Sequence, residues 1–148
     1  SIRNLLTIFE TLADQGKTIK NPEILSSYVR KNIGRSIVRK YLNAKDELFV
    51  ATLDRQIEDL IISGIQQNED GSSSLNMDPE IAQTLLNKIV ESMDSFNQSG
   101  TLPVLLCGSS IRWDLKKLIS RFVPGIAIIA FDEIPSDIKT KNIATITI

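Results

Sequence analysis

Histidine is absent from the 148-residue sequence. Its absence excludes Ser–His and Cys–His nucleophile pairs and removes the commonest metal ligand. Cysteine occurs once, at Cys107. A single thiol forms neither an internal disulfide nor a thiolate cluster. At the end of an apolar run it reads as a small core hydrophobe, and such sparing use of cysteine fits a cytosolic setting. No apolar run approaches the roughly 18 residues of a membrane-spanning helix. The formal net charge is only −1, which points neither to a nucleic-acid binder nor to an acidic disordered tail. Repeats and low-complexity tracts are missing too. Ser1 opens the chain without Met or any signal-like pattern, so a piece of something longer is expected.

What is present is the composition of an ordinary globular domain, 42% hydrophobic and 24% charged. The centre is the stretch 101–134. Leu102–Cys107 is a nearly continuous apolar run, Gly108-Ser109-Ser110 a tight turn, and Ile111–Phe122 an amphipathic helix. Val123-Pro124-Gly125 is a second turn, and Ile126–Phe131 a second apolar run. Strand, helix, strand at this spacing predicts a parallel pair covered on both faces.

Upstream, Ile2, Leu5, Leu6, Phe9, Leu12 and Ala13 share one face of a first helix that stops near Gly16. Asn21-Pro22-Glu23 opens a second, predicted to run to about Leu42 along the row Leu25, Val29, Ile33, Ile37 and Tyr41. Gly34 interrupts it, for close packing or a bend. A turn at Asn43–Glu47 leads to a strand, Leu48–Thr52, and a helix after Asp54 with Ile57, Leu60, Ile61 and Ile65 inward. Gln66–Asn76 reads as an exposed loop. Asp78-Pro79-Glu80 starts a helix striped by Leu85, Leu86, Ile89, Val90 and Phe96 and ended by Gly100. Asp132–Lys141 is a polar connection, and Ile143–Ile148 a last strand, at an edge or completing the sheet. The fold class is therefore α/β (α+β): a small mixed sheet of about four strands with packed helices, over residues 43–148, preceded by a helical segment, residues 1–42, from a neighbouring subdomain.

Chemistry is sparse. Gly108–Ser110 could hold a phosphate on backbone N–H groups at the helix start, which would make a small phosphate- or nucleotide-binding enzyme domain. No Gly-rich fingerprint accompanies it, and a turn with a helix cap explains it equally. Asp132 and Glu133 are adjacent and point apart in an extended segment. No nucleophile, base and orienting group converge, so no enzyme, cofactor or metal is expected.

Charge offers more. No acid lies between Glu23 and Asp46, whereas Arg30, Lys31, Arg35, Arg39, Lys40 and Lys45 do. The segment is a solvated basic face, a docking edge for an acidic protein surface, or a nucleic-acid contact; the last has no aromatic interleaving to support it. On the helix of residues 111–122, Arg112, Trp113 and Lys116 lie off the apolar stripe. Trp113 is thus placed on the outer face, where a neighbouring element or a partner would cover it.

Four stretches in order carry a resemblance: Ser1–Ala13; Tyr28-Val29-Arg30 with Ile33-Gly34-Arg35; Asn76–Glu80; and Pro103–Cys107 with Ile111-Arg112 and Arg121–Pro124. Together they resemble the C-terminal cytoplasmic region of the type III secretion export-gate family (FHIPEP, the FlhA/InvA-like proteins). The resemblance implies a cytoplasmic part of a bacterial inner-membrane protein. In that family this region forms a ring, typically nonameric, that docks substrates, chaperones and the ATPase complex. Residues 1–42 would end the ring-forming third subdomain and 43–148 would be the fourth. Arg30 and Arg35 match the family pattern and become inter-subunit contact candidates; Arg39, Arg112, Trp113 and Lys116 are protein-contact candidates in general, and Trp113 is not part of the family pattern. Pro103–Cys107 and Arg121–Pro124 lie nearer the flagellar than the virulence members. Neither nucleic acid nor membrane insertion of these residues is implied.

Overall fold

Four parallel strands carry the molecule, in the order β5-β4-β1-β6: β1 is Glu47–Leu53, β4 Val104–Cys107, β5 Ala127–Ala130 and β6 Lys139–Ile146. The computed structural model describes residues 2–148. Every residue of β4 is buried. Its side chains alternate, so Leu105 and Cys107 enter one core while Val104 and Leu106 enter another on the opposite face. That two-sided burial is why the run is apolar throughout.

Three helices cover the first face: α4 (Arg55–Gly64), α5 (Pro79–Ser99) and α6 (Arg112–Phe122). Asp78 accepts from the Glu80 N–H at 2.8 Å to start α5, and Gly100, with φ of 73°, ends it in the left-handed conformation. Leu85, Ile89 and Phe96 are fully enclosed, each contributing about 1.5–3 kcal/mol of burial. Val90, Leu60 and Phe122 fall within the predicted apolar stripes but lie exposed at the rims.

The N-terminal segment closes the other face. Asn21 caps α2 (Pro22–Asn32), accepting from the Glu23 N–H at 2.9 Å. The predicted single helix to Leu42 is broken at Ile33; α3 (Gly34–Val38) and a 3-10 turn, Arg39–Tyr41, follow. Gly34 serves both expected roles. It follows the bend, and a Cβ there would lie 1.8 Å from the Glu133 carbonyl oxygen. Val38 joins Leu48, Val50, Val104, Leu106 and Ile129 beneath the sheet, with Ile37, Tyr41 and Leu42 beside them.

One expectation is corrected. Residues 66–76 are not simply an exposed loop: β2 (Ile65–Gln67) and β3 (Ser73–Leu75) form an antiparallel hairpin, its tip closed by Asp70-Gly71 with Gly71 at φ of 85°. The hairpin meets α2, whose Asn21 Nδ2 donates to Gly71 O at 2.6 Å. The direction of the apolar stripe on α1 (Ile2–Gln15), which periodicity leaves open, is settled by the fold. Its apolar face is turned outward, leaving Ile2, Leu5, Leu6, Phe9 and Leu12 exposed. The polar side packs inward instead: Asn32 Nδ2 donates to buried Thr11 Oγ1 at 2.8 Å, and Ser36 Oγ to Asn4 Oδ1 at 2.9 Å.

Candidate functional site

The basic segment is partly neutralised within the chain. Arg30, in the last turn of α2, donates from Nε to Glu133 Oε2 at 2.6 Å and from Nη2 to Oε1 at 3.1 Å. Glu133 has only 2% of its side chain exposed and also accepts from the Ala130 N–H at 3.0 Å. Arg112 lies 3.6 Å from the same carboxylate and donates to Ile128 O at 2.9 Å. Burial, and then the neighbouring Arg30 charge, hold the Arg112 pKa below its usual value, while Glu133 opposes them. One carboxylate and two guanidiniums thus seal the outer edge of β5 and fasten α2 to it. Arg112, although off the apolar stripe, is buried, with its charge beside Glu133 and its Nε on a strand carbonyl.

Arg35 sits apart, exposed, with Nη2 donating to Asp137 Oδ1 at 2.6 Å. Trp113 is half-buried rather than on an open outer face. It borders a small cavity between α2 and the hairpin, with the Lys117 ammonium 5.9 Å from its ring centroid. Residues of α2 and of the hairpin line the same cavity.

Arg30, Arg39, Arg112 and Lys116 converge on one open cavity of about 620 Å³ beside β5, floored by Ile126–Ile129 and walled by Ile37 and Tyr41. Lys40 is a further cation there, which sequence reasoning had not singled out from its neighbours. No acidic side chain lines this cavity among the described residues. Burial, and then the charges of Arg112 and Arg30, lower the Lys116 pKa, while Glu133 opposes them.

The turn at Gly108 is occupied differently. Its N–H donates to Glu58 Oε1 at 3.1 Å, so a carboxylate stands where a phosphate would need to sit. Ile111, not a serine, holds the N-cap position of α6, with no side-chain cap hydrogen bond. Cys107 beneath it is fully buried, and that burial pushes its thiol pKa up to about 12. Among the described residues no group of histidine, cysteine and acidic side chains is arranged to hold a metal, and no helix is long and apolar enough to cross a membrane.

Comparison with known proteins completes the description. The FHIPEP family model matches residues 1–139. Flagellar biosynthesis protein FlhA of Bacillus subtilis is 29% identical over 148 residues, 100% of this chain and 22% of that protein. Low calcium response locus protein D of Yersinia pestis is 29% identical over 146 residues, 99% of this chain and 21% of that protein. The chain thus spans about a fifth of the length of these relatives. Among solved structures, Chlamydia pneumoniae CdsV superposes with a TM-score of 0.86 at 31% identity, over 99% of this chain and 42% of that one. CdsV in complex with CdsO gives 0.81 at 33%, over 99% and 43%. The nonameric SctV-C of EPEC gives 0.82 at 32%, again over 99% and 43%.

Proposed function

The chain belongs to the FHIPEP family, and from that premise we propose that it is a non-catalytic docking and ring-assembly module on the cytosolic side of a type III protein export gate. Flagellar and virulence relatives are both matched at 29% identity, so the reading is of the export gate in general. The observation that carries it is the outward apolar face of α1. Leu5, Leu6 and Phe9 are each more than half exposed, and contiguous apolar surface of this kind marks a face that is covered in the working assembly. The nonameric SctV-C supports a ring of copies, and the CdsV–CdsO complex supports a second protein as partner. Substrates and chaperones are further partners of the whole protein in this reading. Residues 1–42 would close its third subdomain and 43–148 form its fourth, joined by the packing of Val38 and the grip of Arg30 on Glu133.

Within this reading Arg35, Arg39 and Lys116 are contact residues, because they are exposed. Arg30 and Arg112 work inside the chain, and Trp113 packs against its neighbours. The Glu58 carboxylate on the Gly108 N–H opposes the rival phosphate-binding enzyme.

The test is Leu6→Glu with Phe9→Glu, made in the isolated chain and in the full-length protein. Both side chains are exposed, so the isolated chain is expected to keep its unfolding midpoint. Export by the full-length protein is expected to fail. Normal export would end the proposal.

A further inference from the structure

We propose that the basic cavity beside β5 receives a short segment of another polypeptide that combines carboxylates with an aliphatic side chain. The inference stands on the cavity itself and goes beyond the export reading.

Charge comes first. Arg39, Lys40 and Lys116 face the cavity and have no acidic partner among the described residues. Glu133 is already shared by Arg30 and Arg112, so the site has a surplus of positive charge. The surplus extends beyond the rim. Residues 1–45 contain nine Lys or Arg and three Asp or Glu, a net charge of +6, whereas the rest of the chain is at −7. An acidic ligand is therefore attracted to this end of the molecule before contact.

Apolar surface comes second. Ile37, Tyr41 and Ile126 line the same cavity and are half-buried. A bare phosphate gains nothing from them, and no glycine-rich turn contributes to the lining. A peptide gains from both parts, placing carboxylates on the cations and an aliphatic group on the isoleucines and the tyrosine.

The strand edge narrows the binding mode. Added strands recognise an edge through its backbone groups, but Ile128 O is held by Arg112 and the Ala130 N–H by Glu133. Recognition is thus through side chains rather than an extended ladder.

The isotopically labelled 148-residue chain is titrated with a capped octapeptide of six glutamates and two leucines, alongside a serine-for-glutamate peptide and inorganic pyrophosphate. Saturable amide shifts at Tyr41, Lys116 and Ile126 are expected with the acidic peptide alone, weakening as salt rises. Lys40→Glu with Lys116→Glu should weaken binding at least tenfold with an unchanged unfolding midpoint; Lys40→Gln with Lys116→Gln should do so by less. No shifts at these residues, or equal binding of the uncharged peptide, would overturn the proposal. Pyrophosphate binding as tightly would make this a small-anion site, and self-association abolished by the charge reversal would give the cavity to a second copy; either result overturns it as well.

Discussion

Arg30 and Glu133 lie 103 residues apart and share two hydrogen bonds, at 2.6 and 3.1 Å, with the carboxylate almost wholly enclosed. The pair ties the N-terminal helices to the far edge of the sheet. Removing one partner of such a pair strands the other's charge, at a typical cost of 3–5 kcal/mol when both are buried. Arg30 keeps 23% of its side chain exposed, which lowers the cost. Glu133→Gln is expected to lose about 2–3 kcal/mol in urea unfolding. A loss below about 0.5 kcal/mol would mean the pair behaves like a surface salt bridge. The same geometry makes Arg30→Glu a change that sets two carboxylates face to face, so an assembly defect in that variant would report misfolding first.

Gly34→Ala places a methyl group against the Glu133 backbone carbonyl, which cannot swing aside as a flexible side chain would. Overpacking of this kind costs about 1–3 kcal/mol. The expected result is a lower unfolding midpoint despite alanine's better helix propensity. A midpoint equal to or above that of the parent would show that α3 can shift away from Glu133.

Cys107 is enclosed and its pKa is pushed up to about 12 by burial. Thiolate is the reactive form, so iodoacetamide at pH 8 should leave the folded chain unmodified by mass spectrometry. Labelling should appear at the rate of unfolding as urea is added. Rapid labelling of the folded chain would show that β4 opens locally.

The Arg35 guanidinium, through its hydrogen bond first, holds the Asp137 carboxyl pKa below the ordinary aspartate value. A depressed folded-state pKa stabilises above the unfolded value and ceases to do so as the pH falls through the folded one. Both groups are exposed, so the contribution is small and weakened by salt. Carboxyl NMR titration should find Asp137 below the ordinary aspartate value, and Arg35→Gln should move it back upward. An unmoved titration would mean the pair does not persist in solution.

Much of this architecture was legible in local sequence. The apolar runs around Cys107 and Ile128 gave β4 and β5, and the cap signals at Asn21 and Asp78 gave the starts of α2 and α5, because those signals are set by neighbours in the chain. The hairpin of β2 and β3 was missed because Gln66, Gln67 and Ser73 look like loop residues. Asp70-Gly71 was the available hint. Periodicity located the stripe on α1 but could not say whether it faces inward, which depends on hydrogen bonds from Asn32 and Ser36. Arg112 read as an outer-face cation because its partners, Glu133 and Ile128 O, are brought to it only by the tertiary fold. At the candidate site the cations were visible one by one. Their convergence was not, since only the tertiary fold brings the N-terminal helices and α6 together at β5.

The occupied margin of β5 also bears on how the protein withstands crowding. The Ile128 carbonyl and the Ala130 amide, two groups a stray strand would pair with on that rim, are already taken by side chains. The opposite rim, β6, displays Lys139 and Lys141, and lysines on an exposed border repel like strands that would dock there. Both flanks of a short parallel sheet are therefore defended against edge-to-edge pairing, one by occupied backbone groups and one by charge.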